Sequence, residues 1–486
     1  MSPYLVLITL AAYILLLFVL AHFSSRGADN DSFFIGNRRT SWPRATLAMI
    51  GAAMSGVTFI SVPGSVAADS FSYMQMVVGF TLGQLIVAFV LIPVFYRSGV
   101  VSLYEYLDRR FGPSAHLTGA WCFLVAKVVG SALKIYVVCL VMQLLVFDHL
   151  NIDFAANLAF TMLLVWLYTV RGGVRSLIVT DILQSLCLVA AVVICIAVVC
   201  SRMDLSLGAT IELVKSSPYS QMWFFDDPFS ARYFWKMVAG GALCLVAMTG
   251  LDQDMMQRNM SCRTKRDSQI NIVLTALCQI VVILLFLVLG TLLYRYIDFA
   301  GLAVPSRGDD VFPFVAVQGG LPLIAGVVFV IGLISSTYSS AGASLTSLTT
   351  SFTIDILGGR RRYDEAALTR LRRWVHVAMA TVMMVMAYTF YRFGNDSVIN
   401  LVFKLAGYTY GPILGLFAFG LFTRRSLRGR WVAMVAILSP IASYLLQWVM
   451  ANKFDYFIGF ELLGYNALFT IFGFYFASTQ NKNKDE

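Results

Sequence analysis

The chain has 486 residues, of which 59% are hydrophobic and only 13% charged. That balance excludes a soluble globular protein and implies one polytopic helical membrane domain. The formal charge of +10 does not point to nucleic acid, because the basic residues sit in short loops between apolar stretches.

About thirteen apolar stretches, each near the roughly 20 residues that cross hydrocarbon as a helix, are read at 3–23, 44–66, 71–96, 115–146, 153–170, 176–200, 233–255, 269–294, 321–356, 374–391, 398–421, 431–450 and 459–477. The first has no basic residue before it and no small-residue cleavage pattern after it, so it is expected to be an uncleaved helix. With the N-terminus outside, 25 of the 36 basic residues fall in inward loops. These are Arg26, Arg38, Arg39 and Arg44; Arg97, Arg109 and Arg110; Arg171 and Arg175; Arg258, Arg263, Lys265 and Arg266; Arg360, Arg361, Arg362, Arg370, Arg372 and Arg373; Arg424, Arg425, Arg428 and Arg430; and Lys482 and Lys484. The positive-inside rule then sets the N-terminus outside and the C-terminus in the cytoplasm.

The second stretch contains LAMIGAAMSGVTFISVPG, in which Gly51, Ser55, Gly56, Pro63 and Gly64 interrupt the helix. Lys127 and Lys134 share one face of the fourth, at i and i+7, and Asp181 opens the sixth. A charge inside a membrane helix is expensive and is a functional candidate by default. The segment 201–232 is expected outside, over the outer vestibule, and Lys236 is expected to snorkel to the interface. The seventh stretch, MVAGGALCLVAMTGLDQ, carries Gly240, Gly241 and Gly250, five spans after the second. A repeat of five spans must insert with opposite orientation, and paired glycine-interrupted helices in inverted halves point to a transporter site at the midplane. Glycine also serves ordinary helix packing, which keeps that alternative open. Lys404 lies in the eleventh stretch.

Within 321–356, the run ISSTYSSAGASLTSLTTSFTID at 334–355 is more than half Ser and Thr. Ser336, Ser339, Ser340, Ala343, Thr346, Ser347 and Thr350 fall on one helical face. Lipid offers a hydroxyl no partner, so that face meets other helices, water or an ion.

No G-x4-GK[ST] loop is present to bind ATP. The histidines His22, His116, His149 and His376 are scattered, without metal-ligand spacing or a nucleophile–base arrangement, so an enzyme is not expected. The cysteines Cys122, Cys139, Cys187, Cys195, Cys200, Cys244, Cys262 and Cys278 form no CxxC pair and are read as apolar packing residues.

Several local sequences, in this order, resemble the sodium/solute symporter family, which includes sodium-coupled proline, glucose and sialic acid transporters. They are DSFFIGNRRTSW, IGAAMSGVTFI, VSLYEYLDRRFG, GGVRSLIVTDILQ from Gly172, LDQDMMQR at 251–258, and the Ser/Thr run ending FTID. The resemblance covers about residues 31–425 and implies a leucine-transporter-like, all-α fold. It divides the chain into a leading helix and loop (1–43), a first five-helix repeat (44–200), an extracellular loop (201–232), a second, inverted repeat (233–421), and two final helices with a tail (422–486).

Carried over residue by residue, the family's sodium site would use the backbone carbonyls of Gly51, Met54 and Ser336 and the hydroxyls of Ser339 and Ser340. Five or six such oxygens suit Na+. Relatives that bind a second sodium use an aspartate matching Asp181 with hydroxyls one turn below; here those positions are Gly342 and Ala343, so one sodium is expected and Asp181 is assigned to its release path. At positions where sugar transporters hold their sugar stand Thr58, Val77 and Met248, which argues against a glucose-like pose. Ser55 and Thr58 match polar positions of sialic acid relatives, and Lys134 or Lys127 could hold a carboxylate. The resemblance thus implies a sodium-coupled symporter of a small anionic or zwitterionic solute, such as an acidic sugar like sialic acid, a carboxylate or an amino acid, in a bacterial cytoplasmic membrane. Its partners would be sodium, the solute and lipid, with no nucleic acid or ATP. The alternatives are a sensor, an uncoupled or proton-coupled transporter, and sodium-coupled import of a neutral sugar.

Overall fold

Hydrocarbon leaves a backbone no partner but itself, so the apolar stretches form helices. The computed structural model describes residues 3–26, 29–100, 102–170, 173–393, 398–456 and 458–479. Arg171, Gly172, Lys482 and Lys484 lie outside the described residues, as does the side chain of Arg360.

Among the described residues, nine helices are long and apolar enough to cross a membrane. They are α1 (Tyr4–Ser24), α4 (Tyr73–Ser98), α5 (Pro113–Leu150), α7 (Gly173–Arg202), α10 (Lys265–Phe299), α11 (Leu323–Ile356), α12 (Glu365–Phe393), α13 (Lys404–Phe422) and α14 (Gly429–Phe454). Two bent pairs, each apolar enough to make one further span, are α2 (Trp42–Ala53) with α3 (Gly56–Gly64) at 57°, and α8 (Phe234–Gly250) with α9 (Gln253–Met260) at 64°. The stretches expected at 153–170 and 459–477 fold as α6 (Phe154–Thr169) and α15 (Leu462–Ala477), each of 16 residues. At 1.5 Å per residue these are about 24 Å long, short of the ~30 Å hydrocarbon core.

Helix α11 is the central post. Every residue from Leu333 to Ser351 is buried, and α7, α5, α6 and α3 pack around it. Most of its hydroxyls turn back on their own helix. Ser336 Oγ donates to the Leu333 carbonyl at 2.9 Å, Thr337 to Leu333 at 2.8 Å, Thr346 to Gly342 at 2.9 Å and Thr350 to Thr346 at 2.9 Å. Such back-bonding lets hydroxyls sit in a buried helix without a partner from another element. At the end of α11, Asp355 accepts from Ser102 at 2.8 Å and Ser351 at 2.7 Å and pairs with His116 at 2.9 Å.

Candidate functional site

The break between α2 and α3 falls at two extended residues, Met54 (φ −112°, ψ 105°) and Ser55 (φ −87°, ψ 171°). Carbonyls at the end of α2 therefore lose the i+4 amides that would cap them, leaving oxygens available to a cation. Glycine is required on both sides of the break by close approach. The Gly51 amide donates to Ser185 Oγ of α7 at 2.7 Å, and a Cβ at Gly51 would stand 2.5 Å from that oxygen. A Cβ at Gly56 would stand 2.6 Å from Thr337 Oγ1 and 3.5 Å from Ser336 Oγ of α11. Gly51→Val is expected to lever α2 off α7 and sharply lower the yield of folded, monodisperse protein on size-exclusion chromatography; a wild-type profile would contradict this packing.

Across the break, Ser339 and Ser340 differ from the back-bonded hydroxyls of α11. Ser339 Oγ donates to Asp181 Oδ1 at 2.5 Å, and Ser340 Oγ is buried with no hydrogen-bond partner among the described residues. A buried, unpartnered oxygen loses hydration without recompense unless a ligand completes it. Asp181 is itself fully buried and accepts from Arg258 Nε at 3.0 Å.

A cavity of about 140 Å³ lies where the two broken helices face each other, with Ser55 and Thr58 contributed by one and Met248 and Asp252 by the other. Lys127 and Lys134 of α5 both line it, but their situations differ. Lys127 Nζ bonds both oxygens of Asp252 at 3.1 Å and Asp254 Oδ2 at 2.7 Å. Asp252 also accepts the Asp254 amide at 2.8 Å and the Tyr410 hydroxyl at 2.5 Å, so each of its oxygens is engaged. Asp254 pairs in turn with Arg258 Nη1 at 2.7 Å. Lys134, two turns from Lys127 on the same helix, forms no hydrogen bond or ion pair with any described residue.

Of the residues singled out from the sequence, Ser55, Thr58, Lys127, Lys134 and Met248 are brought to one cavity. Val77 is not. It is 1% exposed and does not line the cavity, whose wall on that face is formed by Tyr73 and Phe80, larger side chains a turn away on either side. Gly51, Met54, Ser336, Ser339 and Ser340 lie along the break and the helix packed against it. Asp181 touches a proposed sodium ligand directly. Arg258 corrects an expectation: it is not a loop cation but is 3% exposed inside α9. It belongs with Asp252 and Asp254 to a buried ionic cluster that sequence reasoning missed. The available signal was LDQDMMQR itself, with Asp254 and Arg258 at i, i+4 beside an expected break. Lys236 is half-buried, 3.9 Å over the Tyr456 ring and 4.0 Å from Glu461.

The sodium:solute symporter family matches residues 33–443. The human sodium/iodide cotransporter is 26% identical over 450 residues, covering 87% of this chain and 67% of its own length. A sodium-coupled monocarboxylate transporter 2 of Danio rerio is 26% identical over 443 residues, covering 88% and 68%. The sodium/sialic acid symporter NanT of Aliivibrio fischeri is 25% identical over 487 residues, covering 96% and 91%. The fold is similar to a solved sodium-coupled sialic acid symporter in a substrate-bound outward-open state, with a TM-score of 0.81, 19% identity and coverage of 98% and 99%. It also resembles a nucleobase-cation-symport-1 family transporter in a closed conformation, with a TM-score of 0.58, 13% identity and coverage of 90% and 92%.

Proposed function

The chain belongs to the sodium:solute symporter family, and from that premise we propose that the solute it carries with sodium is a small organic monoanion. Sodium-coupled symport is the activity; the proposal concerns the cargo and the residues that hold it. The carrying observation is the charge count of the central cavity. Lys134 is a cation there with no partner among the described residues, while Asp252 has both oxygens engaged by Lys127, the Asp254 amide and Tyr410. A zwitterion needs a free carboxylate for its ammonium, and among the described residues none faces the cavity. A monoanion needs one cation, which is present. The cavity, about 140 Å³, is near the ~150 Å³ that accommodates a benzene-sized molecule. A short-chain or small aromatic carboxylate therefore fits it whole. Relatives named for iodide, monocarboxylates and sialic acid all take monoanions.

Sodium is assigned to the break. Its ligands are the carbonyls of Gly51, Met54 and Ser336 and the hydroxyls of Ser339 and Ser340, supported by the bare Ser340 oxygen and the interrupted α2. One sodium moves per cycle. Asp181, the group a second ion would need, is already neutralised by Arg258, and the turn below offers only Gly342 and Ala343. Once sodium leaves its ligands, Asp181 is the first carboxylate it meets and forms the start of its exit. The two inverted halves are 44–200 and 233–421, with the N-terminus outside and the C-terminus in the cytoplasm of a bacterial inner membrane.

Uptake into proteoliposomes tests the cargo. With an imposed sodium gradient, acetate, propionate, lactate, pyruvate or benzoate should accumulate, and glucose should not. Accumulation of glucose with none of the anions would overturn the reading. For sodium, Ser340→Ala should raise the sodium concentration for half-maximal uptake roughly tenfold, the equivalent of about 1.4 kcal/mol. Unchanged sodium dependence in Ser339→Ala, Ser340→Ala and the double variant together would remove these ligands from the site.

A further inference from the structure

The ionic cluster is a continuous chain between the two sites. It runs from Ser339 to Asp181 (2.5 Å), Asp181 to Arg258 (3.0 Å), Arg258 to Asp254 (2.7 Å), and Asp254 to Lys127 (2.7 Å), whose ammonium lines the solute cavity. Every member is buried. The middle member is divided. Arg258 gives Nε to Asp181 and Nη1 to Asp254, and its Nη2 is buried with no partner among the described residues. A guanidinium binds a carboxylate best by a two-pronged grip. Nη2 adjoins both edges and can complete that grip with Nε on Asp181 or with Nη1 on Asp254. Which edge is closed gives the side chain two arrangements, and each favours a different ligand.

We propose that Arg258 is the coupling switch, with Asp254 and Lys127 as its positioning residues, and that it converts sodium occupancy into solute affinity by handing positive charge along the chain. The proposal rests on the monoanion reading above. Sodium beside Ser339 supplies positive charge to Asp181, which needs Arg258 less. Arg258 then closes both prongs on Asp254. Asp254, doubly bonded to arginine, lets go of one Lys127 N–H, and Lys127, still held on both oxygens of Asp252, turns that N–H to the anion beside Lys134. An anion arriving first draws that N–H from Asp254, which closes on Arg258 instead and leaves Asp181 free to attract sodium. The effect is reciprocal, as linkage requires. No proton or bond is transferred; only pairings change.

The test measures coupling and not activity. Radiosodium binding to the purified protein in lipid nanodiscs is titrated with and without saturating propionate, lactate, pyruvate or benzoate. In the wild type, at least one of these anions should lower the sodium half-saturation by about fivefold or more, within the usual range of coupling between sites. Two variants interrupt the chain while keeping its charges balanced. Lys127→Met/Asp254→Asn removes one cation and one anion together. Lys127→Arg keeps the charge but grips Asp252 and Asp254 in a fork that does not let go, and so serves as the better-folding control. In both, the ratio of sodium half-saturation without and with anion should fall to within about twofold of one. A wild-type ratio in both variants overturns the switch and leaves the monoanion reading intact. If none of the anions tightens sodium in the wild type, the monoanion reading fails, and the switch with it.

Discussion

Arg258→Met is expected to cost about 3–5 kcal/mol of stability, the penalty for stranding the partner of a buried ion pair. Arg258 is the only residue in ion-pair contact with Asp181 among the described residues, and it shares Asp254 with Lys127. Removing it leaves Asp181 with a single hydrogen bond, from Ser339, inside a membrane bundle where a lone carboxylate has no water to turn to. The variant should lose its sharp unfolding transition in detergent, followed by tryptophan fluorescence, or fail to reach the membrane in normal amounts. Arg258→Lys should recover part of the loss, because a point charge can hold one carboxylate but not two in fixed geometry. Wild-type stability in Arg258→Met would mean that Asp181 and Asp254 are not held as described.

Lys134→Gln should reduce apparent affinity for the transported anion by roughly 10- to 150-fold, the equivalent of the ~1.5–3 kcal/mol that a hydrogen bond to a charged group contributes. Because Lys134 has no partner to strand among the described residues, the folded yield should hold, unlike that of Arg258→Met. Lys134→Arg should keep most of the affinity, since charge and reach survive, and should change the ranking of anions by size as the larger head narrows a cavity of about 140 Å³. The measurement is competition for sodium-driven uptake across the carboxylate panel. Equal affinity in Lys134→Gln would move the anion site elsewhere.

Much of the frame was readable from local pattern. The breaks announce themselves through Gly51, Gly56 and Gly250, and the Ser/Thr face of α11 through a period that any helix obeys. The resemblance to symporters singles out Ser339 and Ser340, the two hydroxyls of α11 that the fold sets apart by a bond to Asp181 and by the lack of a partner among the described residues. What was not readable is pairing at a distance. Lys127 and Asp252 are 125 positions apart, and Asp181 and Arg258 are 77. Hydropathy marks each as costly but cannot say which cancels which. Arg258 was misplaced because a basic residue near the end of an apolar stretch looks the same whether it faces cytoplasm or an aspartate. Val77 stands behind the cavity wall because a position matched to a relative does not report the reach of the side chains around it, and Tyr73 and Phe80 reach farther.

The self-bonded hydroxyls of α11 set how that helix can move. A polar helix clasped by its neighbours through side-chain hydrogen bonds is latched, and every displacement breaks something. Ser336, Thr337, Thr346 and Thr350 carry their acceptors with them, so the surface they present behaves as a bearing. Along those four hydroxyls the surrounding helices can slide or roll and strand no donor of α11. The bonds that cross to other elements are then the detents of the mechanism: Ser339 on Asp181, the Tyr168 hydroxyl on the Tyr338 carbonyl, Thr349 with His376, Gln257 on Thr350, and the foot of the helix pinned through Asp355 to Ser102 and His116. The serines proposed to bind sodium sit beside the first of them.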